Sequence, residues 1–155
     1  MTINSAKLMQ SVRRLFAPDG ENGDATHFEI TRPAEEWRSM LTLSQYRVLR
    51  EHGTERPGSS PLLKEGRSGT YSCAGCGEKV YGSDAKFDSG TGWPSFTAPI
   101  DGNVETSTDR TMLMARIEVH CAKCGGHLGH RFADGPDPRG MRHCINGAAL
   151  NFQAD

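Results

Sequence analysis

At 155 residues, with 35% hydrophobic side chains, 18 glycines and 8 prolines, the chain has room for one modest core and many connections. Its formal charge of −1 offers no basic excess for nucleic acid, and no apolar run approaches the ~20 residues a bilayer-spanning helix needs. A secretory signal is not read, because Arg13-Arg14 is followed by Leu15-Phe16-Ala17-Pro18-Asp19 rather than by an apolar stretch.

The first 18 residues contain Lys7, Arg13 and Arg14 but no acid, and place Leu8, Val12 and Leu15 at helical spacing. They read either as a surface helix or as an organellar presequence. Asp19-Gly20-Glu21-Asn22-Gly23-Asp24 follows as an acidic, flexible break, so residues 1–26 are expected to form a flexible arm and residues 27–155 the folded domain. Pro33 suits a helix start. Thr42-x-x-Gln45 is a capping-box pattern opening a second helix, with Leu43, Tyr46 and Leu49 on one face and Gly53 as its stop. Thr54 to Pro61 is turn-rich and reads as a strap laid over the body. From Tyr71 onward the pattern is that of strands: Leu113, Ala115, Ile117 and Val119 alternate with Met112, Met114, Arg116 and Glu118, and Ala148, Leu150 and Phe152 alternate near the end. The class expected is mainly β and antiparallel, with helices confined to the N-terminal third.

Four of the five cysteines fall into two Cys-x-x-Cys pairs, Cys73/Cys76 and Cys121/Cys124. Two such turns supply the tetrahedral thiolate set that zinc prefers, and four thiolates leave no open position, so one structural Zn2+ is expected. Glycines within the knuckles, as in Cys73-Ala74-Gly75-Cys76-Gly77, let the backbone turn tightly around an ion. The competing reading, a redox dithiol, leaves the second pair unexplained. A small zinc ribbon holds ~15–20 residues between its knuckles; here 44 residues, 77–120, intervene, so the metal ties together the ends of a large piece of the fold. Such cysteines in a chain without an export signal favour a reducing compartment, the cytoplasm.

The fifth cysteine, Cys144, has no partner in sequence and lies in Arg142-His143-Cys144-Ile145-Asn146. In an extended segment Arg142, Cys144 and Asn146 project from one face and His143 and Ile145 from the other. An ordinary thiol, with a pKa near ~8.5, is only a few per cent ionised at neutral pH, and a neighbouring arginine favours the nucleophilic thiolate. Asn146 adds a neutral donor. The alternative is a small buried hydrophobe. Gly126-His127-Leu128-Gly129-His130 brings two imidazoles, read as general acids, zinc ligands or loop-surface residues; the zinc reading is weakest because cysteines already saturate the ion. Trp93 and Phe96, in Ser89-Gly90-Thr91-Gly92-Trp93-Pro94-Ser95-Phe96, are either core or an aromatic wall for a thioether methyl.

Taken together, Phe87-Asp88-Ser89-Gly90-Thr91-Gly92-Trp93-Pro94-Ser95-Phe96, Cys124-Gly125-Gly126-His127-Leu128-Gly129-His130 and Arg142-His143-Cys144-Ile145-Asn146 closely resemble the methionine sulfoxide reductase B family, over about Trp37 to Phe152, and His52-Gly53-Thr54-Glu55 followed by Pro57-Gly58-Ser59-Ser60-Pro61-Leu62 also matches. The resemblance implies reduction of protein-bound methionine-R-sulfoxide to methionine. It implies Cys144 as the nucleophile that becomes a sulfenic acid, and His127 and His130 as the groups that bind and protonate the departing oxygen, with Asn146 in the same network. Arg142 would hold down the thiol pKa, Asp134 would orient the neighbouring basic groups, and Trp93 would wall the methyl pocket. The implied fold is two antiparallel sheets (a β-tent, Mss4-like) with the four-cysteine zinc site away from the active centre. Implied partners are oxidised proteins carrying methionine-R-sulfoxide and thioredoxin or another thiol reductant, acting on a monomer.

Three positions depart from the family pattern. Thr91 stands where many members carry a resolving cysteine, so with four cysteines on zinc a single-cysteine cycle is expected, the sulfenic acid being reduced by an external thiol. Met112-Leu113 replaces a common His-Gly pair, and His143 replaces a common aromatic. The alternative to an enzyme is a non-catalytic zinc-bound interaction module, since fold alone does not fix function; a hydrolytic zinc centre is excluded by the closed ligand set.

Overall fold

The computed structural model describes residues 28–110 and 115–155. The N-terminal arm with its Leu8, Val12 and Leu15 spacing, and the Met112-Leu113 departure, lie outside the described residues. Among the described residues two helices come first, α1 (Ala34–Met40) and α2 (Leu43–Glu51). Nine strands follow: β1 (Gly69–Cys73), β2 (Lys79–Gly82), β3 (Lys86–Phe87), β4 (Ser95–Phe96), β5 (Val104–Asp109), β6 (Arg116–Cys121), β7 (His127–Phe132), β8 (Arg142–Ile145) and β9 (Leu150–Ala154). They form two antiparallel sheets, one ordered β2-β1-β9 and the other β3-β4-β8-β7-β6-β5. Among the described residues, apart from three short 3-10 turns, helix is confined to the N-terminal third, as the patterning predicts.

The start of α2 follows its local chemistry. Thr42 accepts from the Gln45 N–H while the Gln45 side chain accepts from the Thr42 N–H, so two end groups of the helix are satisfied reciprocally. The predicted face is only partly right. Tyr46, Val48 and Leu49 are buried, but Leu43 is 64% exposed, because the helix meets β7 and the Gly147–Ala149 turn through its later turns. Gly53 ends the helix in an unexpected way. The left-handed cap is His52, at φ 55°, whereas Gly53 is required for its missing Cβ, which would stand 2.7 Å from the Arg47 carbonyl oxygen that its own N–H approaches at 2.8 Å.

The strand predicted through Leu113 begins at Arg116; Ala115 precedes it, and residues 112–114 lie outside the described set. Its alternation is also imperfect. Glu118 is buried as well as Val119, since the polar face is covered by histidines rather than by water. The apolar core lies where the helices and sheets meet and includes Trp37, Leu49, Tyr71, Tyr81, Phe96, Leu128, Ile145 and Leu150. Phe96 stacks on Tyr81 with centroids 4.3 Å apart and meets Tyr71 edge-on at 5.0 Å. Among the described residues no helix is long and apolar enough to cross a membrane.

Candidate active site

Two nearly identical turns bring the paired cysteines together. In each, the N–H of a left-handed glycine returns to the carbonyl of the first cysteine: Gly77 to Cys73 at 2.8 Å and Gly125 to Cys121 at 2.9 Å. These positive φ angles favour glycine. The sulfurs of Cys73 and Cys124 lie 3.7 Å apart and those of Cys76 and Cys121 3.5 Å, with all four within 4.8 Å of one another. A tetrahedral thiolate site with metal–sulfur bonds of about 2.3 Å has sulfur–sulfur edges of about 3.8 Å, so the four cysteines fit a metal ion. Cys73 ends β1 and Cys121 ends β6, so such an ion joins the two sheets.

The lone thiol lies on β8. His130 of β7 is directly across from Cys144 on one side and Ser95 of β4 on the other. The register continues to Glu118 on β6 and Ser107 on β5, which makes one polar row across five strands. As β-alternation requires, Arg142, Cys144 and Asn146 line a small cleft of about 210 Å³ with Trp93, His130 and Phe132. His143 points the opposite way, into the core, with Nδ1 2.9 Å from the Tyr81 hydroxyl; burial first, and then Arg131, lower its pKa to about 4. Two larger hollows, about 730 and 840 Å³, lie elsewhere and are lined by no cysteine. Chemistry rather than size distinguishes the small cleft.

Burial pushes the Cys144 thiol up, while the Arg142 charge and hydrogen bonds from Thr91 and Arg142 pull it down. Arg142 is held by a fork to Asp134, Nε to Oδ1 at 2.9 Å and Nη2 to Oδ2 at 3.1 Å, and its guanidinium stacks 4.5 Å from the Phe132 ring centroid. Each histidine of the His127–His130 pair gives one ring nitrogen to a carboxylate. His130 Nε2 is 2.9 Å from Asp109 Oδ2, and His127 Nδ1 is 3.1 Å from Glu118 Oε1. Burial lowers the His130 pKa, opposed by the Asp109 hydrogen bond. Burial would raise the Glu118 carboxyl, but hydrogen bonds from His127 and Ser107 outweigh it and take the pKa to about 2.

The strap completes the cleft. The Glu55 carboxylate accepts from the Gly147 and Ala148 N–H groups, both at 2.8 Å. The Glu55 N–H donates to Asn146 Oδ1 at 3.0 Å, and Trp93 Nε1 donates to the Glu55 carbonyl at 3.0 Å. Asn146 Nδ2 in turn donates to the Leu128 carbonyl at 3.0 Å. Glu55→Ala removes the acceptor of two backbone N–H groups, so a loss of about 2–4 kcal/mol in urea unfolding is expected.

The structure thus brings Cys144, His130, Arg142, Asn146 and Trp93 to one cleft. His127 is a layer behind, 1% exposed, with its ring centroid 5.3 Å from that of His130. Asp134 does not line the cleft; it holds Arg142, and its charge pushes the Cys144 thiol up. Phe96, predicted for the wall, faces the core, because it is opposite His143 on β4 and so on the other side of the sheet from Cys144. Phe132 supplies the second aromatic. Sequence reading also missed Asp109, Glu118 and Glu55. Each acts through a partner 21, 9 or more than 90 residues away, and no short spacing reports that.

Residues 41–154 match the SelR domain family. The chain belongs to that family. Relatives of this SelR domain carry the name peptide methionine sulfoxide reductase MsrB, which denotes an oxidoreductase. One from Bradyrhizobium diazoefficiens is 51% identical over 88% of this chain and 98% of its own. One from Leptospira interrogans is 48% identical over 83% of this chain and 99% of its own, and one from Methanosarcina barkeri 50% identical over 81% and 89%. The SelR match takes in both cysteine pairs, the strap and the whole Cys144 cleft.

Proposed function

We propose that this SelR domain reduces the R epimer of methionine sulfoxide within oxidised proteins, with Cys144 as nucleophile and one structural zinc on Cys73, Cys76, Cys121 and Cys124. The observation that carries the reading is the cross-strand pairing of Cys144 with His130, which sets a thiol and a carboxylate-bound imidazole beside one small aromatic-walled cleft. The zinc supplies a rigid tie between the sheets and takes no part in turnover.

A sulfoxide oxygen leaves poorly unless it is protonated, so the chemistry needs a thiolate and an acid together. Arg142 favours the thiolate of Cys144, and Asp109 favours protonated His130, while Glu118 anchors His127 behind it. The thiolate attacks the sulfoxide sulfur and forms an S–S bond while the oxygen takes a proton from the imidazole pair; the hydroxyl then passes to the Cys144 sulfur as both the S–O bond to methionine and the S–S bond break. The products are methionine and the Cys144 sulfenic acid. Trp93 and Phe132 wall the methyl group, and Asn146, fastened at both ends of its amide, holds the strap against β7.

Two external thiols then restore Cys144, yielding a disulfide and water. The chain has five cysteines, four of them in the metal set, and Thr91 lies beside Cys144 where a resolving cysteine would act. The cycle therefore uses a single cysteine, with thioredoxin or another thiol as the reductant. A cyclic 1,3-diketone should trap Cys144 sulfenic acid after one turnover; an intramolecular disulfide to Cys144 with zinc retained would overturn this step. Activity itself is tested on a methionine sulfoxide peptide resolved into its epimers, with excess dithiothreitol. Loss of the R epimer alone is expected, and no loss of either from folded, zinc-bound protein would return the chain to an interaction module.

The role of His130 makes a pH prediction. Its protonated form is needed, so activity falls as pH rises through its pKa. Asp109 holds that pKa up against burial, so Asp109→Asn lowers it. The high-pH limb of kcat should move to lower pH, with about a tenfold loss at the old optimum. An unmoved limb would remove His130 as the proton source.

A further inference from the structure

We propose that His52, Glu118 and His127 form a second metal site, distinct from the four cysteines, that binds a first-row divalent transition cation. His127 Nδ1 lies 3.1 Å from Glu118 Oε1, and His52 Nε2 lies 3.6 Å from the same oxygen. One donor atom from each residue falls within 4.8 Å of the others. For metal–ligand bonds near 2.1 Å, donors on one ion stand about 3.0–3.4 Å apart, so a small swing of the exposed His52 ring completes the set.

A hydrogen bond accounts for His127 on Glu118 but not for a second imidazole converging on the same oxygen. His52 reaches that place from a left-handed backbone, φ 55°, an uncommon conformation for a residue with a side chain, and its ring lies 5.0 Å from that of His127. The donors differ in access. His127 and Glu118 are buried, whereas the His52 side chain is 68% exposed and leaves an entry path and open positions for water. Glu118 is ionised at neutral pH, and burial keeps His52 toward its neutral, ligating form. Two imidazoles and one carboxylate suit zinc, cobalt, nickel or iron(II) better than calcium or magnesium. On binding, His127 gives up its Nδ1 proton, either to solvent or to Nε2, which has no hydrogen-bond partner in the described structure.

The test is a titration of tag-free protein, zinc already in the cysteine site, with Co2+ followed by absorption and calorimetry. One further equivalent should bind with weak visible bands and no sulfur-to-cobalt charge-transfer band. His52→Asn keeps the left-handed cap, which asparagine tolerates, and should weaken that binding at least about tenfold while zinc content and circular dichroism stay unchanged. His120→Gln, which alters a neighbouring imidazole outside the triad, should leave it within about twofold. Absence of a second equivalent, a thiolate band marking binding at Cys144 or exchange at the cysteine site, or unaltered affinity in His52→Asn would each overturn the proposal. Because the readout is binding, it stands or falls apart from the reductase reading.

Discussion

Cys144→Ser is expected to leave a folded, zinc-bound protein whose turnover of methionine-R-sulfoxide falls at least about 10⁴-fold, some 5.5 kcal/mol of transition-state stabilisation. Serine is nearly isosteric and the cleft is only half-buried at this residue, so stability should hardly change. The loss is chemical: a hydroxyl is scarcely ionised at neutral pH and cannot become a sulfenic acid. A second variant separates nucleophile from electrostatics. Burial raises the Cys144 pKa and Arg142 opposes that rise. Arg142→Met therefore lets the pKa climb, so the low-pH limb of kcat should move to higher pH and narrow the window that the His130 limb closes from above. Cys144→Ser should recover at no pH. Substantial turnover by the serine variant, measured on the resolved peptide, would move the reaction away from this thiol.

Loss of the zinc proposed for the four cysteines should be the largest structural perturbation. Cys121→Ser, or exhaustive chelation under reducing conditions, is expected to abolish the cooperative unfolding transition and native circular dichroism. Structural zinc contributes apparent binding free energies of about 10–16 kcal/mol, comparable with or larger than the ~5–15 kcal/mol stability of a whole domain. Geometry says why little else substitutes for it here. Cys73 closes β1 of the small sheet, Cys121 closes β6 of the large one, and Cys124 leads into β7, which carries His130. Zinc content by elemental analysis and a urea melt give the answer together. A metal-free variant that melts like the parent would demote the ion to an accessory.

The two predictions differ in how readily their residues could be read. Repeated Cys-x-x-Cys spacing is local chemistry, and the number of sulfurs alone implies a closed site. The alternation that puts Arg142, Cys144 and Asn146 on one face is equally local, because any extended strand has a period of two. The capping box at Thr42 belongs with these. In each case neighbouring residues settle the outcome, whatever the rest of the chain does.

Other features depend on which strand lies beside which. Phe96 belongs to the same loop motif as Trp93, yet β4 pairs with β8 so that Ser95, not Phe96, shares the face of Cys144. His127 and His130 are three residues apart in sequence, but only the register of β7 against β8 sets His130 across from the thiol and leaves His127 behind it. Leu43 fits its helix pattern and is still exposed, since helical periodicity does not say how far along its length a helix is covered. Asp109 and Glu118 carry no motif, and the segment around Glu55 does not say what that side chain holds, because a carboxylate becomes meaningful only when folding brings an imidazole or a free backbone N–H to it. The sequence by itself determined the two cysteine pairs, the lone thiol, the strand class and the family. The tertiary structure alone decided which imidazole meets the thiol and which carboxylates hold the imidazoles, because pairing between distant strands is fixed by the packing of the whole chain and leaves no short-range trace.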